Sequence, residues 1–484
     1  MKSKKYLLVL VALMASGCSG TGNSNSASVT SDPSVSNTEP VSTTSSEITS
    51  TTSEEPSSEP LPVGILNTLS DTKTINEYQV EAFGKSGLPS IGDVNMLVVP
   101  VEVNGTPFET GYDEKLDLVF NGSSEETGWE SVSSFYNKSS YGKLNLHFDI
   151  APKYTTVGNY SYYDSILNGY EDMIAEALDS LDETIDFSQY DNNDDGYIDS
   201  IAFIYSVQYA HREDNNIWWA FVYHSNFFTP AYPTIDGVEF GHYMWASYAF
   251  MKDSLGIPTT VNAETYIHEF GHLLGMPDLY SSSYNVGPVG GWDMMDYNCA
   301  DHGPFNKLMW GWNRPLVAQK GYQYDVTLDS YSLDTDGENS VLLIPRGSAN
   351  LDDGDAFDEY LLVMYYTPDG LYQGHRVSNP IYRSQPGVVV YKINAALSSK
   401  PNVWQFFMYN NQGTSNFIVE ILENDFNDSI PGNSSYISYS DFLTEGTFDL
   451  SAYRWNPSTK SPINVKITLE SKDSASADLH VEYL

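Results

Sequence analysis

His268-Glu269-Phe270-Gly271-His272, running on through Leu273-Leu274 to Gly275-Met276-Pro277-Asp278, packs three candidate metal ligands and one carboxylate base into eleven residues. On a helix the two histidines stand at i and i+4, so they project from one face, one turn apart. Imidazole nitrogens presented in this way can approach a zinc ion to about 2.0–2.1 Å. Glu269 lies beside them, where it can take a proton from a water activated by the metal. Gly275 is expected to end the helix and allow a sharp turn that brings Asp278 back as third ligand. A fourth position is left for water and substrate, the arrangement of catalytic as opposed to structural zinc.

The chain begins Met1-Lys2-Ser3-Lys4-Lys5, continues with an apolar run from Tyr6 to Ala15, and reaches Ser16-Gly17-Cys18. A basic start, a short apolar core and small residues before a cut point make a secretory signal peptide, and the run is too short to span a bilayer. Cys18 directly after Ala-Ser-Gly resembles a bacterial lipobox, so residues 1–18 read as a lipoprotein signal with Cys18 lipidated. Residues 19–62 are almost entirely Ser, Thr, Asn, Glu, Pro and Val. Such a segment buries too little apolar surface to offset its chain entropy, and it reads as a disordered tether.

The rest of the chain is long enough for two domains: a catalytic domain over 63–315 and a β-rich domain over 316–484. With Cys18 lipidated, Cys299 is the only other cysteine, so no intrachain disulfide is expected. A net charge of −41 argues against nucleic acid, which needs clustered Lys and Arg. The membrane should be touched only through the lipid, and a monomer is expected.

Val94–Val101 is a continuous apolar run that suits a strand buried on both faces. Aromatics at near-helical spacing follow in 128–142, and 143–150 alternates like a strand. Residues 170–181 form an amphipathic helix candidate with Met173, Ile174, Ala177 and Leu178 on one side. Residues 198–206 suit another buried strand. This alternation implies an α/β (α+β) catalytic unit. After about 316 come short apolar runs split by Gly, Asp, Asn and Pro, at 340–344, 359–366, 387–393, 416–422 and 463–469. Strands so spaced read as an antiparallel sandwich-like domain.

Asp191, Asn193, Asp195, Tyr197 and Asp199 stand at positions 1, 3, 5, 7 and 9 of a calcium-type loop, with Gly196 at the sharp turn and Ile198 anchoring it. Position 12 is Ala202, not the bidentate Glu of an EF-hand, and the loop runs into a strand. A structural calcium ion that borrows its last ligand from elsewhere is expected. A solvated acidic turn is the alternative.

Gly290-Gly291-Trp292-Asp293-Met294-Met295-Asp296-Tyr297 has the form of the methionine turn that passes beneath the zinc of metzincin-type proteases. Met295, or Met294, would make the turn, and Tyr297 could hydrogen-bond a developing oxyanion. Asp293 and Asp296 compete with Asp278 as third ligand; the spacing from Gly275 follows the metzincin pattern and favours Asp278. Among the other histidines, His302 lies close after this segment.

Taken together, HEFGHLLGMPDLY (268–280), SVSSFYNKSSYGKL (131–144), DFSQYDNNDDGYID (186–199), GGWDMMD (290–296) and KLMWGW (307–312) resemble the immune inhibitor A-like family of secreted bacterial metallopeptidases. The resemblance implies a zincin-type fold and a zinc endopeptidase with His268 and His272 as ligands and Glu269 as general base. It also suggests calcium in the aspartate loop and a β-rich C-terminal part. Two departures stand out: relatives can carry a Glu before the Trp of the methionine segment, here Gly290-Gly291, and no large pro-domain precedes the first strand. The expected function is thus cleavage of extracellular proteins or peptides at the outer face of a bacterial membrane. The competing expectation is a non-catalytic surface binding lipoprotein that retains the fold.

Overall fold

The computed structural model describes residues 61–210, 215–224, 232–253, 259–284, 286–298, 300–347, 351, 355–373, 384–402, 405–413, 415–426, 430–431, 436–455 and 461–484. Residues 1–18, expected as a lipoprotein signal with Cys18 lipidated, nearly all of the expected tether over 19–62, and Cys299 lie outside the described residues. The protein is mixed α/β, with several sheets and few helices.

The first sheet runs in the order Leu144–Ile150, Gly92–Asn104, Ile201–Tyr205, His242–Ser247, Ala220–His224, with Tyr154–Asn159 also paired to Gly92–Asn104. Neighbours are parallel except at the margin, where Ala220–His224 runs antiparallel to His242–Ser247. Both faces are covered, which explains the unbroken apolar runs. Alternate residues separate cleanly: Leu97, Val99, Phe203 and Trp245 face the helix Gly169–Leu181, whose Met173, Ile174, Ala177 and Leu178 are buried against them. Met96, Val98, Ala202, Ile204 and Met244 face the other way, toward the histidine helix Glu264–Leu273 and the helix Val132–Ser139.

The C-terminal part repeats the principle with strands that pair antiparallel, apart from the parallel pair Arg314–Val317 and Glu338–Pro345. A six-stranded sheet contains Glu338–Pro345, Glu359–Tyr366, Gly387–Asn394 and Val419–Leu422, and a four-stranded sheet contains Gln323–Asp329, Ser476–Tyr483, Val465–Lys472 and Gly446–Asp449. Leu361 and Val363 join a buried cluster with Ile467, Leu479 and Val481 of the four-stranded sheet. Leu362 and Met364, one residue along, point instead into the cluster that contains Phe270, Trp292 and Met294. The period of two in a strand thus serves two cores at once. The expected boundary at 315/316 falls inside the strand Arg314–Val317, which pairs with Asn67–Thr68 on one side and Glu338–Pro345 on the other. One cluster holds Ile75 and Phe270 together with Tyr391 and Phe442, so the two parts share a core. No described helix is long and apolar enough to cross a membrane.

Candidate metal centre

The helix Glu264–Leu273 begins where Asn262 Oδ1 accepts the Glu264 N–H at 2.8 Å, and Glu264 puts an acidic side chain on the first turn. It ends as a glycine at the C-terminus demands. Gly275 takes φ +90°, its N–H reaches His272 O at 2.8 Å, and the Met276 N–H reaches Gly271 O at 3.1 Å. This pair of bonds closes the last turn and sends the chain back along the helix. A side chain at 275 would be strained, and its Cβ would also meet Ile75 at 3.0 Å.

The returning limb brings Asp278 to both histidines. Asp278 Oδ1 lies 3.2 Å from His268 Nε2 and 3.1 Å from His272 Nε2. Each imidazole is steered from behind: His268 Nδ1 is 2.8 Å from Met294 O, and His272 Nδ1 is 2.7 Å from Met276 O. A carbonyl can only accept, so both rings carry their hydrogen on Nδ1 and turn an Nε2 lone pair toward Asp278. With both rings neutral, three acceptors then face one another in a buried space, with no donor between them among the described residues. Only a cation relieves that: a metal ion or an added proton. Burial pulls His272 down, yet the Asp278 carboxylate outweighs it and pushes the imidazole up to about 9. Burial pushes Asp278 up, but the facing imidazoles win and hold it well below the usual carboxylate range. His268, His272 and Asp278 form a group that could hold a metal ion. Carbonyl-steered imidazoles are what a metal site needs behind its ligands.

Glu269 is buried beside the group. Burial raises its carboxyl, opposed by the charges of His272 and His268.

The methionine segment divides its work between the two residues that the sequence left as alternatives. Met294 contributes the carbonyl that orients His268. Met295 packs its side chain against Gly271 of the histidine helix. Asp293 caps the short helix Met294–Tyr297 and spends its oxygens elsewhere: Oδ1 accepts from Met295 N at 2.7 Å, and Oδ2 from Gly303 N at 2.6 Å. Burial pushes its carboxyl up to about 7. Asp296 Oδ2 accepts from Gly291 N at 2.6 Å, and neither Asp293 nor Asp296 belongs to the ligand group. Tyr297 is 52% exposed, with its ring edge-on to Tyr436. His302 is buried against Phe135, Tyr136 and Trp310, and burial pushes it well below the ordinary range. It reads as a neutral core histidine.

The calcium-type loop is closed by its own backbone. Asp191 accepts from the Asp195 and Gly196 N–H groups, Asn193 Oδ1 from Asp195 N, and Asp195 from Tyr197 N and Ser86 N. Asp199 differs. Its Oδ2 accepts from Asn192 N and Nδ2, both at 2.8 Å, while the fully buried Oδ1 has no partner among the described residues. Burial pushes this carboxyl well above its ordinary range.

Sequence reasoning passed over three residues of the centre. Gly271 matters because of what lies under it. Tyr280 places its ring 6.4 Å from that of His268 at 20°, and its signal was an aromatic two residues after Asp278. Tyr136 donates its hydroxyl to Ile267 O at 2.7 Å and so pins the helix from behind; it lies inside the aromatic block already singled out. Two further groups of ligand-type side chains occur in the β-rich part, Asp325 with Glu470 and His480, and Glu423 with Asp425 and Asp441. In the first, His480 Nδ1 already lies 2.6 Å from Asp325 Oδ1. No protein-family model matches the chain, and no curated protein matches it.

Proposed function

We propose that this protein is a zinc endopeptidase held by lipid at the outer face of a bacterial membrane. In this reading it combines a zincin-type catalytic unit of the immune inhibitor A-like kind with a β-sandwich. The observation that carries it is the convergence of His268 Nε2, His272 Nε2 and Asp278 Oδ1 with Glu269 alongside. Two imidazoles and one carboxylate suit zinc better than calcium or magnesium, which favour all-oxygen sites. Zinc there would polarise a peptide carbonyl and make water acidic near neutral pH.

The chain's own residues then have defined tasks. Glu269, its carboxyl raised by burial, takes the proton from the attacking water and returns it to the nitrogen of the leaving amine. Tyr297 donates its phenolic hydrogen to the oxyanion. Ala220–His224, antiparallel at the end of the described sheet, offers a margin along which an extended peptide can pair. This favours a protein or peptide substrate. Calcium in the loop 191–199 is supported by Asp199 Oδ1, which is buried without a partner among the described residues and which a cation would satisfy.

The test is metal analysis of the purified protein together with casein cleavage, before and after treatment with a chelator. Stoichiometric zinc and chelator-sensitive cleavage are expected. A folded, zinc-free, inert protein would overturn the reading and leave the surface binding lipoprotein in its place.

A further inference from the structure

The limb that carries Asp278 is gripped on both sides. On the N-terminal side stands the helix cap at Gly275. On the C-terminal side the Leu279 N–H reaches Met295 O at 2.8 Å, and Leu279 O accepts from Asn411 Nδ2 at 2.9 Å. Asn411 is fully buried in the β-rich part. The same Nδ2 also donates to Val419 O at 2.9 Å, and Oδ1 accepts from Val419 N at 3.3 Å. One amide therefore ties the ligand limb to the strand Val419–Leu422 at the margin of the six-stranded sheet. Gln412 repeats the grip one residue on: Nε2 donates to Tyr280 O at 3.1 Å, and Oε1 accepts from Ser282 N at 3.0 Å. Every limb group held by these two side-chain amides is backbone. What is fixed is the path of Asp278-Leu279-Tyr280, and with it the aim of the carboxylate.

We propose that Asn411 is a positioning residue of the metal centre, seconded by Gln412, so that the β-rich part completes the centre and does not merely accompany it. The proposal rests on the metal-centre reading above. Residues 274–279 have no helix or strand of their own to hold Asp278, whereas a ligand set tolerates only about 0.2 Å of error in its distances. The hold must come from outside the limb. Residues that orient metal ligands typically alter affinity by about 10–100-fold when removed.

The experiment uses the full chain, stripped of metal and titrated with zinc against a chromophoric chelator, then with cobalt while the visible spectrum is recorded. Asn411→Ala should raise the zinc dissociation constant by roughly 10–100-fold and alter the cobalt bands. Gln412→Ala should move both in the same direction by less, and it carries the test if Asn411→Ala does not fold. Val465→Ala, in the core of the four-stranded sheet, should lower the melting temperature and leave affinity and spectrum unchanged, which separates positioning from bulk stability. Folded Asn411→Ala and Gln412→Ala proteins with wild-type affinity and bands overturn the proposal. A wild-type chain that takes up no zinc overturns the metal-centre reading itself, and this proposal with it.

Discussion

Met295 lies directly against Gly271: a Cβ at position 271 would sit 2.2 Å from its sulfur and 2.9 Å from its methyl group. Nothing larger than hydrogen fits between the histidines on that side of the helix. Gly271→Ala must therefore displace Met295 or lift the helix. Overpacking of this kind costs about 1–3 kcal/mol. A lower melting temperature and a loss of bound metal are expected. Met295→Ala on the same background should recover part of both, with a coupling of about 0.5–3 kcal/mol in the double-mutant cycle. Strict additivity of the two changes would show that the contact has no energetic weight.

Glu269→Gln keeps the side chain's size and removes its basicity. Neither zinc content nor melting temperature should change much, while kcat falls by about 10²–10⁴-fold. Zinc analysis alongside peptide-cleavage kinetics separates this from a metal-site defect. A variant that keeps its kcat would remove Glu269 from the proton path.

Much of this centre was legible in the chain because it depends on local geometry. The i, i+4 spacing of His268 and His272 holds on any helix, and Gly275 announces its own turn. Strands bounded by turn residues were equally readable: 359–366 emerges at those same residues. The choice between Asp278 and Asp293 was open, because it turns on contacts from distant segments. Asp293 lies outside the His268, His272 and Asp278 group and is engaged instead by the Gly303 N–H and the Asn306 amide, which no spacing rule could place against it. The role of Gly271 depends likewise on a methionine twenty-four residues away. Nor could the short strand Asn67–Thr68 be foreseen beside Arg314–Val317, since it has too few residues to show a period.

Tyr297 follows Met294, the residue whose carbonyl steers His268, by one helical turn. If its phenol stabilises the oxyanion, Tyr297→Phe should lower kcat by on the order of 10²-fold and leave KM nearly unchanged. The side chain is half exposed, so its loss should cost little stability. Steady-state kinetics on one fluorogenic peptide decide the matter: an unchanged kcat removes the role.

Metal removal should leave a pH signature. In the stripped protein the His272 imidazole is raised from its ordinary 6.5 to about 9 by the Asp278 carboxylate, against the pull of burial. A raised histidine adds stability that is complete below the unfolded value and disappears as pH climbs through the folded one. The melting temperature of the stripped chain should accordingly fall between about pH 6.5 and 9. His272→Ala should flatten that fall, as should saturation with zinc, which takes the place of the proton. Equal slopes for stripped and zinc-loaded protein would contradict the coupling.

Asp199 offers the sharpest test of the calcium-type loop, because its two oxygens have different fates. Oδ2 is satisfied by Asn192, whereas Oδ1 is buried without a partner among the described residues. A buried carboxylate in that state is costly unless a proton or a cation supplies the missing charge. Asp199→Asn preserves the shape, leaves its carbonyl oxygen to accept from Asn192 and removes the charge. With calcium withheld, the variant should lie close to the wild type in stability, since burial already drives the Asp199 carboxyl toward its neutral form. With calcium added, the wild type should gain melting temperature in proportion to the logarithm of the excess over its dissociation constant, and the variant should gain much less. Thermal melts across a calcium series make the comparison. Equal gains in both proteins would mean that calcium binds elsewhere. No gain in either would mean that Asp199 is held protonated in an acidic turn that needs no ion.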